Sequence, residues 1–158
     1  MIAAPELSII IVSFNTKADL QRCLGSLHEA PPHRSHEVLV VDNASSDGSA
    51  DAARAFGVEV IEAGDNLGFA RANNLGIRSS RGDKLLLLNS DTVVPEGALD
   101  TLLHALDRHD DVAVVGPRLV DINGRPELSF GEMIGPLGAL RQKVIARRRS
   151  EEHTSELQ

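Results

Sequence analysis

Two short polar segments of the sequence follow apolar runs and carry carboxylates. The segment 89–91, Asn-Ser-Asp, comes directly after four consecutive leucines, and Asp42 with Asn43 follows a second apolar run. A carboxylate at the mouth of a buried strand is costly unless it meets water, a hydrogen-bond donor or a cation. Asp91 is therefore interpreted as a metal ligand, and the alternative is that it caps a helix beginning near Pro95 or closes a tight turn.

Apolar runs and helical periodicities alternate along the chain. The four leucines are too few to span a membrane and are typical of a strand buried on both faces of a parallel sheet. Strand–helix alternation of this kind predicts an α/β fold, a doubly wound, mostly parallel sheet with helices on both faces. The predicted strands are Leu7–Phe14, Glu37–Val41, Val58–Ile61, Leu85–Leu88 and Val112–Val115.

The first predicted helix begins with Thr-x-x-Asp, formed by Thr16 and Asp19. This spacing is typical of a helix start at which the threonine hydroxyl caps the first turn. Cys23 lies on the apolar stripe that follows. We therefore predict that Cys23 is a small core residue and not a nucleophile.

The carboxyl ends of parallel strands lie along one edge of a sheet, where ligands bind at the point at which the strand order reverses. Residues 13–15, 42–43 and 89–91 should therefore converge. The first strand is followed by Ser-Phe-Asn-Thr-Lys, which lacks the glycines of a dinucleotide-binding turn, and the chain has no Gly-x-x-x-x-Gly-Lys phosphate loop. Phosphates at this edge would have to be met by a cation.

Composition limits the class of protein. The 158 residues with 42% hydrophobic content suffice for one domain with a core. A formal net charge of −7 argues against a general nucleic-acid binder, which needs a basic face. The chain shows neither a signal peptide nor an apolar run of membrane-spanning length, so a cytoplasmic location is expected.

Four segments, taken in order, resemble the motifs of family 2 glycosyltransferases, especially the rhamnosyltransferase-like branch. They are residues 10–15 (IIVSFN), 40–49 (VVDNASSDGS), 66–77 (NLGFARANNLGI) and 86–92 (LLLNSDT). The resemblance covers about Leu7 to Phe130. It implies a GT-A fold, Rossmann-like, with the chain truncated after a β-hairpin predicted at Asn123–Gly124.

The resemblance also implies roles for individual residues. Asp42 would accept a hydrogen bond from the base of a nucleoside-diphosphate sugar. Asp91 matches the last position of the family's Asp-x-Asp motif and would hold Mg2+ or Mn2+ on the diphosphate, although Asn89 replaces the first acid. The other residues implied in the nucleotide-sugar site are Val12, Ser13, Phe14, Asn15, Asn43, Gly68, Arg71, Asn74, Asn89 and Ser90.

The chemistry implied by the resemblance is inverting transfer of a sugar, rhamnose being one candidate, to a glycan or lipid-linked acceptor in cell-surface polysaccharide synthesis. A carboxylate would take the acceptor's proton. We expect this base beyond residue 148, because Asp121, Glu127 and Glu132 belong in or beside the hairpin as solvated charges.

The predicted donor domain is 1–136, and two further segments follow it. Residues 137–148 are apolar and basic by turns, which suits either an ordinary surface helix or peripheral contact with the inner face of a membrane; we favour the surface helix. Residues 149–158 resemble a translated sequencing adapter, so we expect them to be an artefact.

Two other classes of protein are considered. A receiver-like signalling domain would need an aspartate after its third strand, where this chain has Ala63 and Gly64. A non-catalytic nucleotide-binding module shares the predicted site and stays open as an alternative.

Overall fold

The computed structural model describes residues 4–121 and residue 125, and its centre is a four-stranded parallel sheet in the order β3-β2-β1-β4. The elements in chain order are β1 (Leu7–Ser13), α1 (Lys17–Glu29), β2 (His36–Asp42), α2 (Ser49–Arg54), β3 (Glu59–Glu62), α3 (Phe69–Ser79), β4 (Lys84–Asn89) and α4 (Ala98–Asp107). The predicted doubly wound α/β architecture is confirmed. A receiver domain has β3 next to β1, whereas β4 lies there in this sheet, so the receiver alternative is wrong.

Helices cover both faces of the sheet. The larger core cluster joins Ile9 and Ile11 of β1 to apolar residues of α1, α2 and α4. The smaller cluster joins Ile10 to α3 on the other face. Cys23 is fully buried in the larger cluster, as predicted.

Helix α3 lies very close to the sheet because Gly76 faces it. A Cβ at Gly76 would stand 2.5 Å from Cγ2 of Ile10 and 3.1 Å from Cγ2 of Val41. Only glycine allows this approach without displacing β-branched side chains of the core. The close contact holds α3, and the loop that precedes it, against β1 and β2.

Strand β4 differs from the prediction of burial on both faces. Within the described residues it is an edge strand, and Leu85 and Leu87 are 46% and 51% exposed. Leu86 and Leu88 pack against the larger core cluster, whereas α3 covers β1 and β2 on the opposite face. The run of identical leucines conceals this alternation, since all four residues have the same hydrophobicity.

The predicted fifth strand, Val112–Val115, is wrong: these residues have no strand structure and Val114 is 84% exposed. Valine favours strands only where a pleated surface is available to pack on. The described residues divide into two units between Val115 and Gly116. In the second unit, the Asp121 N–H donates to the Arg125 carbonyl at 2.8 Å, and the predicted Asn123–Gly124 turn lies outside the described residues.

Candidate active site

The three polar segments meet at the edge of the sheet where the strands end. Ser13 pairs in register with Asp42, and Val12 pairs with Asn89 on the other side of β1. Since neighbouring strands lie about 4.8 Å apart, Asp42 and Asn89 flank the end of β1 at a separation of about 10 Å. The strand order reverses here, because β4 follows β3 in the chain but lies beside β1. The predicted convergence is confirmed.

Asp42 is buried at this edge with half of its carboxylate unused. The side chain belongs to a residue that is 4% exposed, and its Oδ2 accepts a hydrogen bond of 3.0 Å from the Ser45 N–H. Its Oδ1 has less than 1 Å² of accessible surface and no hydrogen-bond partner among the described residues. A buried acceptor without a donor is costly, so this oxygen suits a ligand N–H.

Asn43 uses its amide to hold the loop before α3. Its Nδ2 donates to Oδ1 of Asn66 at 2.9 Å, and its Oδ1 accepts from the Leu67 N–H at 2.8 Å. Asn66 in turn accepts from the N–H of Gly68, which has a φ of +75° directly before α3. Asn43 and Gly68 therefore shape the loop on which α3 begins.

The loops after β1 and β2 are joined by the backbone and side chain of Asn15. Its N–H donates to Oγ of Ser45 at 3.0 Å, and its Oδ1 accepts from the Ser46 N–H at 2.8 Å. Its φ of +53° is left-handed, a conformation that asparagine tolerates. Phe14, immediately before it, is exposed, whereas Val12 packs against the smaller core cluster.

Thr16 does not act as the predicted side-chain cap of α1. Its hydroxyl makes no cap hydrogen bond and instead lies 3.0 Å from Oγ of Ser13 and 3.1 Å from Oγ of Ser90. The Lys17 N–H at the start of α1 donates to Oδ2 of Asp47 at 2.9 Å. The helix start was predicted correctly, but its cap comes from the loop after β2.

Asp47 serves both helices that begin at this edge. Its Oδ1 accepts from the N–H and hydroxyl of Ser49 at 3.0 and 2.5 Å, while its Oδ2 accepts from α1. Hydrogen bonds from the Ser49 hydroxyl and the Lys17 N–H hold the pKa of the Asp47 carboxyl below its ordinary value. A charged carboxylate at two helix N-termini is also favourable because of the helix dipoles.

Asp91 is exposed, and within residues 4–121 and 125 its carboxylate makes no hydrogen bond or ion pair. Helix α4 has Gly97 at its N-cap, so Asp91 does not cap it and the capping alternative is wrong. The other alternative, a tight turn, agrees with the turn structure at residues 90 and 91. The Thr92 N–H donates to the Asn89 carbonyl at 3.2 Å, which closes the turn that presents Asp91.

The Asn89 carbonyl also accepts a long hydrogen bond, 3.7 Å, from the thiol of Cys23 beneath it. Burial, and then the negative charge of Asp91, raise the pKa of the Cys23 thiol to about 11. The thiol therefore stays protonated at neutral pH, so it remains a hydrogen-bond donor.

The fit of a divalent cation depends on Asp91 and Asn89. Among the described residues there is no group of three or more His, Cys, Asp or Glu side chains that could hold a metal ion by themselves. Mg2+ is often bound through one or two carboxylates together with substrate phosphates. One free carboxylate with a neighbouring amide oxygen fits a metal that is held jointly by the protein and a diphosphate.

Arg71 and Asn74 lie on the first two turns of α3, and both are exposed. Residues three apart share a helix face, so a cation and an amide stand side by side. Their side chains make no hydrogen bond with the described part of the chain, unlike buried Asn73, whose Nδ2 donates to the Phe69 carbonyl at 3.0 Å. They are free to contact a ligand.

The profile described as "Glycosyl transferase family 2" matches residues 8–154. The chain belongs to glycosyl transferase family 2. The resemblance to family 2 drawn from the four sequence motifs is confirmed, and the fold is of the GT-A type found in the structural neighbours of this family member.

Two curated relatives of this family member illustrate its range. It is 27% identical over 115 residues to "Glycosyltransferase GlyG" of Streptococcus pneumoniae serotype 4, a match that covers 70% of this chain and 38% of the relative. It is 36% identical over 93 residues to "Glycosyltransferase AglE" of Haloferax volcanii, covering 55% of this chain and 31% of the relative. The chain thus spans about a third of the length of these relatives.

Solved structures share the fold of this family 2 chain. A mannosyltransferase from Pyrobaculum calidifontis, in complex with GDP-Man and Mn2+, superposes with a TM-score of 0.59 at 24% identity over 65% of this chain and 32% of that one. S. aureus TarS 1–349 in complex with UDP superposes with a TM-score of 0.60 at 20% identity over 76% of this chain and 43% of that one.

Several residues that organise the site were not predicted from sequence. They act through hydrogen bonds between loops, which local spacing does not reveal. The residues concerned are Thr16, Ser45, Asp47 and Asn66.

No helix in the described part of this family 2 chain is both long and apolar enough to cross a membrane. The predicted basic segment 137–148, the predicted tail 149–158, and Glu127 and Glu132 all lie outside the described residues.

Proposed function

We propose that this chain binds the nucleoside-diphosphate sugar of a glycosyltransferase at the edge formed by the ends of β1, β2 and β4. The whole protein transfers the sugar, rhamnose being one candidate, with inversion to a glycan or lipid-linked acceptor in cell-surface polysaccharide synthesis. Family membership and the strand-order reversal support a donor site at this edge.

The observation that carries the proposal is the unpartnered Oδ1 of Asp42. With Oδ2 already held by the Ser45 N–H, Oδ1 is available to a base that carries a ring N–H, as uracil, thymine and guanine do. Because Oδ1 is covered, a neighbouring side chain must move as the base enters. The exposed ring of Phe14, which directly follows the end of β1, offers an apolar surface for the base.

Asp91 and the Asn89 amide are the residues that would hold Mg2+ or Mn2+ together with the diphosphate. When bound, such a cation stabilises the negative charge of the leaving diphosphate. Arg71 is an exposed cation on α3 and can add positive charge near the nucleotide. Asn43 and Gly68 contribute by shaping the loop before α3, since both side-chain polar atoms of Asn43 are already used.

In a single displacement, the acceptor hydroxyl attacks the anomeric carbon as the bond to the diphosphate breaks, and a base takes the hydroxyl proton. We assign no base among residues 4–121 and 125, the part of the chain that the structure describes. Asp121 is engaged by the Arg125 N–H at 2.8 Å, as expected for a carboxylate that stabilises a turn. We therefore expect this chain to bind the donor without turnover. In that respect it would behave like a non-catalytic nucleotide-binding module.

Calorimetry with UDP, dTDP and GDP, each with and without Mn2+, tests the proposal. We expect at least one nucleotide to bind, and Asp42→Asn to weaken that binding about 10- to 100-fold because the hydrogen bond to a charged oxygen is lost. Asp83→Asn is the matched control, since Asp83 is exposed at the opposite edge of the sheet. Absence of binding to all three nucleotides, with and without Mn2+, would refute the donor-site proposal.

The sugar and the mechanism need the whole protein. Transfer assays with dTDP-rhamnose, UDP-glucose and GDP-mannose would identify the donor, and the anomeric configuration of the product would test inversion. Retention of configuration would contradict the single displacement.

A further inference from the structure

We propose that helix α1 positions the Asp91 turn, and that the Thr16 hydroxyl couples this turn to the nucleoside side of the site. This inference rests on the proposed donor site, and it assigns Thr16 the role of a positioning residue. Neither the family motifs nor helix-capping rules give Thr16 that role.

Three side chains of α1 and its N-cap contact the segment from Asn89 to Val94. The Thr16 hydroxyl contacts Ser90, and the Cys23 thiol donates to the Asn89 carbonyl. Oγ of Ser26 accepts from the Val94 N–H at 3.0 Å while donating to the Cys23 carbonyl at 2.7 Å. The segment is thus held at its beginning and at its end, with Asp91 between the two points.

The Thr16 contact is notable because a capping hydroxyl normally serves its own helix. The cap hydrogen bond to α1 comes instead from Asp47, in the loop after β2. This substitution releases the Thr16 hydroxyl to contact both Ser13 at the end of β1 and Ser90. Both of these serines are buried, so water competes little for the two hydrogen bonds.

The result is a continuous chain of contacts across the end of the sheet. Asp47 joins the loop after β2 to α1, and Thr16 joins the start of α1 to the residue that precedes Asp91. On the nucleoside side, Asp42 is the last residue of β2, and it accepts a hydrogen bond from Ser45 in that same loop after β2. Asp91 is exposed, and its carboxylate has no partner within the described part of the chain, so its position depends on this backbone support.

Thr16→Val removes the hydroxyl, keeps the branched shape and sacrifices no side-chain cap. If Thr16 couples the two sides, the gain in nucleotide affinity produced by Mn2+ should fall about tenfold, as expected for loss of hydrogen bonds. Affinity measured in EDTA should change less than about twofold. Thr16→Ser restores the hydroxyl and should restore the Mn2+ effect.

A second readout does not need a nucleotide. Hydrogen exchange of the backbone amides at residues 90–94 should be faster in Thr16→Val and in Ser26→Ala than in the wild type. The matched control is Thr101→Val, because the Thr101 hydroxyl donates to the Gly97 carbonyl at 2.8 Å within α4. Ser26→Ala serves as the second variant if Thr16→Val does not fold.

The outcomes separate the two proposals. Unchanged exchange at residues 90–94 in both variants would overturn the positioning role, whatever the wild type binds. Faster exchange together with an intact Mn2+ effect would overturn the coupling. Faster exchange in the variants, together with a wild-type protein that binds no nucleotide, would support the positioning role and refute the donor site.

Discussion

The carboxylates at the two edges of the sheet differ in whether they have hydrogen-bond partners. At the edge where the strands begin, Glu37 accepts hydrogen bonds from the Ser8 hydroxyl at 2.6 Å and from the Arg81 backbone and guanidinium at 2.6–2.8 Å. At the edge where they end, Oδ1 of Asp42 and the whole Asp91 carboxylate have no partner in the described part of the chain. Paired charges stabilise the fold, whereas unpaired ones indicate a ligand site.

The edge where the strands begin, called the paired edge below, also holds α4. Asp107, on the last turn of α4, forms ion pairs with Arg34 at 2.5 Å and with Lys84 at 3.0 Å. Arg34 contacts Glu6 as well, before β1. These groups are partly exposed, so each pair contributes little alone. Their common effect is to fix the beginnings of the strands, which leaves the other edge free for function.

The largest effect at the paired edge is expected from Gly82→Ala. A Cβ at Gly82 would stand 2.6 Å from the Ser8 backbone nitrogen, which cannot move without disturbing β1. We expect the free energy of unfolding in urea to fall by about 3 kcal/mol. Gly25→Ala is the control, since a Cβ there meets nothing within 4 Å and alanine favours a helix interior; a similar loss in both variants would contradict the steric explanation.

Glu37→Ala comes next. Burial would raise the pKa of the Glu37 carboxyl, but hydrogen bonds from Ser8 and Arg81 outweigh it and hold that pKa below its ordinary value. Because the Glu37 side chain is largely buried and the Arg81 side chain is exposed, we expect a loss of about 2 kcal/mol in urea unfolding. Glu29→Ala, on exposed α1 surface, should change stability by less than about 0.5 kcal/mol. Equal losses in the two variants would mean that Glu37 is only another surface charge.

Asp91→Asn tests the edge where the strands end, called the unpaired edge below. The Asp91 carboxylate has no partner to lose among the residues that the structure describes, so the free energy of unfolding should change by less than about 0.5 kcal/mol. The gain in nucleotide affinity produced by Mn2+ should fall about tenfold, because a neutral amide binds a divalent cation more weakly. Calorimetry with and without Mn2+ measures this difference. A destabilised variant with an intact Mn2+ effect would place Asp91 among the structural charges instead.

The location of the unpaired edge could be predicted from sequence. The β-branched run of β1 and the apolar run of β2 identify buried parallel strands, and parallel strands must end together. The convergence of Asp42 with the Asn89–Asp91 segment follows from that rule without any knowledge of tertiary contacts.

What sequence could not supply was the partner of each polar group. Thr16 satisfies the capping pattern, yet Asp47, thirty-one residues later, makes the cap and Thr16 contacts Ser90. Leu85 and Leu87 are as apolar as their neighbours, and their exposure depends on where α3 lies. Local spacing specifies elements, whereas loop-to-loop contacts depend on the assembled sheet.

The smallest expected effect concerns another paired group, His33, whose Nδ1 lies 2.6 Å from Oδ2 of Asp100 on α4. The hydrogen bond to Asp100 raises the pKa of His33 from its ordinary 6.5, and the same bond lowers the pKa of Asp100. The contribution of His33 to stability is therefore complete below pH 6.5 and is lost as the pH rises through its folded-state pKa, while that of Asp100 is lost in acid.

His33→Gln should lower the thermal midpoint at pH 5.5 and have no effect at pH 9, and the difference should shrink in high salt because the His33 side chain is exposed. His28→Gln on α1 is the control. A midpoint difference that is independent of pH would show that His33 acts by packing and that its ion pair with Asp100 adds nothing to stability.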